Sequence, residues 1–304
     1  MKHDSVPEAD AGIRLDGHAH LYPAFPLLRY LRGTLENLLE CGHRTPRTST
    51  SPSSLALALF DGEQNGSAHP LRRLQRMDEE SGSDVAAVLA DGWEVRTTNE
   101  ECSLHVVPPT TRPGPHRERA GSTPPTALTF LAGRQLRTAE RMEVLAFPCL
   151  DPLPHDRPLT ETVEHVLRAG ALPIIPWGLG KWWLRRGVRL AELLASDLGA
   201  RVLLGDSGNR PQGGLTPHAL RLARERGIPV IAGSDPLPLP RQADRAGSYG
   251  SLLQGSLDSQ RPAEGLSALL RELAASPPTF GRRISLAACL AANVRLRLPA
   301  GDHS

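Results

Sequence analysis

Aromatic residues, sulfur and lysine are all scarce in this 304-residue chain. Aromatics make up only 4% of it, so leucine, alanine and valine must fill most of any core built from its 39% hydrophobic residues. Cysteine occurs four times, at positions 41, 102, 149 and 289, and never as Cys-x-x-Cys. That excludes a zinc ribbon, offers no disulfide framework and fits a reducing compartment, so a cytoplasmic protein is expected. The net charge of +2 lacks the basic excess that nucleic acid or an anionic membrane would select, and neither is expected as a partner. No apolar run approaches the roughly 20 residues of a membrane-spanning helix. The polar opening MKHDSVPEAD has no apolar stretch of the kind a secretory leader carries. A small molecule is the expected partner.

What is present is a repeating pattern: a short apolar run ends in polar, often acidic, residues and is followed by a helical segment. It appears at IRLDGHAH (13–20), DVAAVLADG (84–92), TALTFLAG (126–133), MEVLAFPCLD (142–151), ALPIIPWG (171–178), RVLLGDSG (201–208) and IPVIAGSD (228–235). Nearly continuous apolar character suits parallel strands buried on both faces. SLHVV (103–107) is a weaker eighth candidate. Helices are punctuated between them. Thr160 and Gly170 bracket LTETVEHVLRAG as cap and stop, and Thr216, Pro217 and Gly227 do the same for LTPHALRLARERG. Segments 189–199 and 263–276 have helical spacing too.

The expectation is an α/β protein with a TIM-like, distorted (β/α) barrel of seven or eight parallel strands. The length suits one such domain, with its core at about 13–295 and loop insertions at 41–54 and 108–125, the latter rich in Pro, Gly and Arg.

Residues two apart on a strand share a face, so His18 and His20 project together, with Asp16 beside them. Two imidazoles at a strand end can hold one divalent ion from one side. The bland alternative is a pair of exposed histidines in a turn.

The opening LDGHAHLYP resembles the start of amidohydrolase-type barrels and of PHP (polymerase and histidinol phosphatase) domains, and the order of later motifs resembles PHP more closely. The resemblance runs from about residue 13 to 250. It implies His18, His20, Asp91 and Asp235 as metal ligands. Gly92, Gln135, Trp177 and Leu237 stand where that family carries further ligands, and Glu143 replaces a histidine as an oxygen donor. The implied cofactor is Zn, Mn or Fe, one ion or at most two, and none if the site has degenerated. The implied chemistry is attack by a metal-activated water on a phosphate ester, with Asp235 or Asp206 taking the proton. Amidohydrolases imply an amide or lactone instead. Their map also asks for a metal-bridging lysine, and Lys181 lies several residues past its strand. A barrel that has lost its metals and only binds ligands is the non-catalytic alternative.

Lys181 sits between glycines and two tryptophans in PWGLGKWWLRRG (176–187). Trp177, Trp182 and Trp183 there, with Trp93, all follow expected strands. One reading is an aromatic pocket in which Lys181, aided by Arg134 and Trp177, binds an anionic substrate. The other is that the tryptophans pack a helix onto the barrel and the cations are solvated. Ser207, Asn209 and Arg210 are strand-end residues within reach of a ligand, and the alternating prolines of GSDPLPLP (233–240) hold Asp235 stiffly.

Overall fold

The computed structural model describes residues 12–40, 54–61, 69–77, 83–109 and 127–297. The segments read as loops, 41–54 and 108–125, therefore lie almost wholly outside the described residues. Nine strands follow one hydrogen-bonded path that curls into a nearly closed barrel. In path order they are β11 (Thr279–Gly281), β10 (Tyr249–Gln254), β1 (Gly12–His20), β2 (Ser54–Phe60), β5 (Leu128–Arg137), β6 (Glu143–Phe147), β7 (Leu172–Pro176), β8 (Leu203–Ser207) and β9 (Val230–Gly233). A hairpin of β3 (Glu94–Thr97) and β4 (Ser103–Val107) joins the side of β5.

This mixed sheet corrects the expected ring of parallel strands. β6 runs antiparallel to β5 and β7, and β10 runs antiparallel to β1 and β11. The reason at β6 is the length of its connection. Only residues 138–142 separate it from β5, whereas a parallel crossover needs a dozen or more. The chain turns straight back: Thr138 N–H donates to Met142 O at 3.0 Å, and Arg141 adopts a left-handed φ of 61°.

Two further differences are local. Residues 84–92 fall in helix α3 (Ser83–Ala90), where Val85 and Val88 are buried three apart; a short apolar run does not by itself separate a strand from a buried helix. The strand SLALALF at 54–60 escapes the pattern because alanine and leucine carry little strand preference. Among the helices, Gly170 and Gly227 stop α4 (Leu159–Arg168) and α6 (His218–Glu225) with φ of 78° and 68°. Thr160 and Thr216 are not the caps. α4 opens at Pro158, and the Leu159 N–H donates to the Glu140 carboxylate at 3.0 Å.

Side-chain alternation divides the strands between three cores. The outer faces of β1, β2 and β5 pack under α1 (Leu27–Glu40), α2 (Pro70–Gln75) and α3 through Ala19, Leu57 and Phe130. Those of β6, β7 and β8 pack under α4, α5 (Arg185–Ala195) and α6 through Val144, Ile175 and Leu204. The barrel interior holds Ile13, Leu15, Ala58, Leu131, Leu145, Ile174 and Ile231. Ala263, Leu266 and Leu270 of α7 (Pro262–Arg271) close one end of it. The last helix, α8 (Leu286–Arg297), follows β11.

β1 changes face part-way along. Ile13 and Leu15 point inward, yet Ala19 belongs to the outer core. The register against β2 shifts between Asp16 and Ala19, a bulge that reverses the alternation and turns His18 and His20 into the barrel. Asp16 is fully buried at this irregularity. It accepts hydrogen bonds from the backbone N–H of His18 (3.2 Å), Ser234 (2.9 Å) and Gly247 (2.8 Å), and from Ser234 Oγ (2.5 Å). It thus ties β1 to the segments after β9 and before β10, where no strand ladder closes the barrel. Asp16→Ala would remove this acceptor from three buried backbone N–H groups, at His18, Ser234 and Gly247, at about 1–3 kcal/mol for each left unpaired. Urea unfolding should show a loss of about 3 kcal/mol; a curve superimposable on the wild type would exclude this clasp.

Candidate metal centre

His18 and His20 sit at the polar end of the barrel, opposite α7, with ring centroids 4.8 Å apart. His20 Nδ1 is 3.0 Å from Phe60 O. A carbonyl only accepts, so Nδ1 carries the proton and the Nε2 lone pair faces the interior. Burial, and next the neighbouring His18, push the His20 pKa down to about 4. The ring is therefore neutral at pH 7, the form in which imidazole binds a metal. Tyr22 stacks on it at 5.3 Å, and Phe60 meets His18 edge-on at 5.5 Å. The Phe60 ring occupies space that only a glycine at 133 leaves open: a Cβ there would lie 2.2 Å from it.

Asp235 completes the group. Two glycines let the segment before it press against β1. A Cβ on Gly233 would stand 2.3 Å from His18 N, and one on Gly17 would stand 2.9 Å from Ala232 O. Asp235 then takes a left-handed φ of 50°, and its N–H donates to His18 O at 2.8 Å. Ser207 Oγ donates to Oδ2 at 2.8 Å, and Asn209 Nδ2 donates to the Asp235 carbonyl at 2.5 Å. Oδ1 is left facing the imidazoles, 3.9 Å from His18 Nε2 and 3.8 Å from His20 Nε2. The ligand-capable atoms of the three residues all lie within 4.8 Å of one another. The two His–Asp separations fall inside the about 4.4 Å that a pair of bonds of about 2.2 Å can span. The three residues form a group that could hold one divalent ion.

Gln135, where the family resemblance would place a glutamate ligand, faces the same interior. Its Oε1 is 3.2 Å from His18 Nε2, and its Nε2 donates to Glu143 Oε1 at 3.4 Å. Glu143 in turn pairs with Lys181. Glu143 thus sits one residue removed from the imidazoles and outside the His18–His20–Asp235 group, not as the direct ligand expected of it.

Other expected residues are placed elsewhere. Asp91 follows helix α3, where Arg32 and Trp93 Nε1 (2.9 Å) hold its carboxylate; it does not join the histidines. Asp206 lies one residue before Ser207, on the opposite face of β8. Arg210 grips both its oxygens (2.5 and 2.7 Å), and Tyr249 donates to it at 2.8 Å. Asp206 stands outside the His18–His20–Asp235 group. Arg134 is one residue from Gln135, on the outer face of β5, bound to Leu150 O (2.9 Å) and Asp61 (2.5 Å). Trp177 and Trp182 are buried in the core beneath the helices, while Trp183 is 59% exposed. Trp177 and Trp182 therefore pack helices and do not wall a pocket, and Trp183 faces solvent. Gln135 and Ser207 emerge instead, and the period-two alternation that turns Leu131 inward would have singled out Gln135 four residues on.

No family model matches the sequence, and no curated protein matches it. Among solved structures the chain is similar to PsfC from Pseudomonas syringae PB-5123, at 13% identity and a TM-score of 0.42, over 94% of this chain and 96% of that one. At that similarity the neighbour fixes neither fold nor chemistry.

In metal-free protein the His20 imidazole should titrate near pH 4, against about 6.5 for an unperturbed histidine. Side-chain NMR read against pH checks this; a midpoint above 6 would mean that the ring is solvated and the pocket open.

Proposed function

We propose that the chain is a metal-dependent hydrolase acting on a small molecule at the polar mouth of the barrel. The observation that supports it is the convergence of His18 Nε2, His20 Nε2 and Asp235 Oδ1, with the His20 tautomer already set by Phe60. Two imidazoles and one carboxylate suit Zn, Mn or Fe, held as one ion. When bound, such an ion polarises a carbonyl or phosphoryl oxygen and acidifies water.

The chain's own residues then have distinct tasks. His18 and His20 would donate to the ion, His20 through the Nε2 that the Nδ1–Phe60 bond leaves free. Ser207 fixes Asp235 through Oδ2, so the carboxylate cannot swing away. Asp235 is the acidic side chain of the group and takes the proton released on hydrolysis. Phe60 and Tyr22 wall the imidazoles and exclude bulk water. Gln135 presents a neutral amide where a second carboxylate would attract a second ion, which favours a mononuclear site. A phosphate ester is the first substrate class to examine, because His18, His20 and Asp235 keep their places in the PHP-like pattern; amides and lactones come second.

Elemental analysis of untagged protein, purified without chelator, should find about one Zn, Mn or Fe per chain, lost in the His18→Ala, His20→Ala double variant. Asp235→Asn should slow hydrolysis by about a hundredfold or more. Absence of metal at every supply tested refutes the reading, and metal without turnover of esters, amides or lactones leaves a ligand-binding barrel.

A further inference from the structure

A cleft of about 180 Å³ opens beside the candidate metal centre, lined by Gln135, Arg137, Arg141, Met142, Glu143, His155 and Lys181. It lies between the β5–β6 turn, the strand-free segment around His155 and the turn that follows β7. Gln135 forms part of its wall and also lies 3.2 Å from His18 Nε2, so one end of the cleft adjoins the imidazoles.

The charges in the cleft are unbalanced. Three of its lining side chains are cations (Arg137, Arg141 and Lys181) against one lining carboxylate (Glu143); with Asp156, which pairs with Arg137 from outside the lining, one positive charge stands in excess. Lys181 is held over the cleft by its pair with Glu143, and its stem folds across Gly178, where a Cβ would stand 2.6 Å from Lys181 Cδ. Arg137 is braced by Asp156 at 2.9 and 3.0 Å. Arg141 projects from the tip of the β5–β6 turn at a left-handed φ, with no side-chain partner among the described residues. A guanidinium fork and an ammonium converging on one cleft match the oxygens of a single anionic group.

We propose that this cleft is an oxyanion subsite that takes a carboxylate or phosphate group of the substrate. Arg141, Arg137 and Lys181 receive the oxygens, and the rest of the substrate passes Gln135 to reach His18, His20 and Asp235. The substrate is then bipartite: an anionic anchor in the cleft and a hydrolysable bond at the polar end of the barrel. The role of the anchor rests on the hydrolase reading, but the anion-binding property does not, because the cleft's cations are distinct from the candidate metal ligands.

The test is calorimetric titration of the full chain with inorganic phosphate and with acetate, after chelation of metal. Arg141→Asn keeps a residue that tolerates a left-handed φ and removes the guanidinium. Lys181→Met, paired with Glu143→Gln, removes the ion pair without leaving a bare charge, and circular dichroism confirms folding of each variant. At least one anion should bind the wild type, and binding should weaken tenfold or more in each of the two cleft variants. Preference for phosphate or for acetate identifies the anchor. The His18→Ala, His20→Ala variant should bind the same anion within about threefold of wild type even though it holds no metal. Binding of neither anion, equal binding by the cleft variants, or binding that disappears with the histidines would overturn the subsite. Retained binding in a protein that never takes up metal would sink the hydrolase reading alone.

Discussion

The carboxylate of Asp16 is the interaction on which this barrel depends. It is fully buried and ionised at neutral pH; burial raises its pKa to about 6 despite the donors gathered around it. Three backbone N–H groups and a serine hydroxyl from three separate stretches of chain converge on its two oxygens. A sheet closed by hydrogen-bond ladders needs no such device. Here β9 and β1 approach without a ladder, and the approach is close enough to demand glycine at 17 and 233. The clasp therefore does two jobs at once. It holds the bulge that turns the histidines inward, and it places Ser234 so that the next residue, Asp235, arrives beside them.

Burial, hydrogen bonding and charge then act in the same direction at the polar end of the barrel. Phe60 supplies both a hydrophobic ring against His18 and the carbonyl that orients His20. Gln135 links the imidazoles to Glu143, and Glu143 links them to Lys181 and the cationic cleft. A neutral amide suits that junction, because it adds no charge to a buried space.

Much of this was legible in the residues, and the failures have physical causes. The DGHAH strand and the strands at 128–137, 143–147, 172–176, 203–207 and 230–233 are marked by apolar runs that end in polar residues. Strand direction is not written in such runs. It follows from connection length, and the five residues before Glu143 forbid a crossover. His18, His20 and Asp235 come together because each stands at the end of an inward-facing strand or just beyond one. Asp91 and Asp206 have equally suggestive local sequence, but salt bridges claim them; Arg210 lies only four residues past Asp206, whereas Arg32 lies far from Asp91 in the chain and leaves no local trace there. Arg134 and Gln135 illustrate the cost of ignoring parity: adjacent residues on one strand serve opposite faces.

The bulge between Asp16 and Ala19 also sets what kind of change the site can survive. A strand's faces alternate with a period of two, so the orientation of His18 and His20 depends on how many residues precede them as much as on which residues they are. A one-residue deletion at Gly17 could keep every imidazole, every apolar core residue and most of the β1–β2 ladder, yet deliver both rings to the outer face. Descent with modification can exchange apolar side chains along this strand, but it cannot add or drop a single link of it without dismantling the centre.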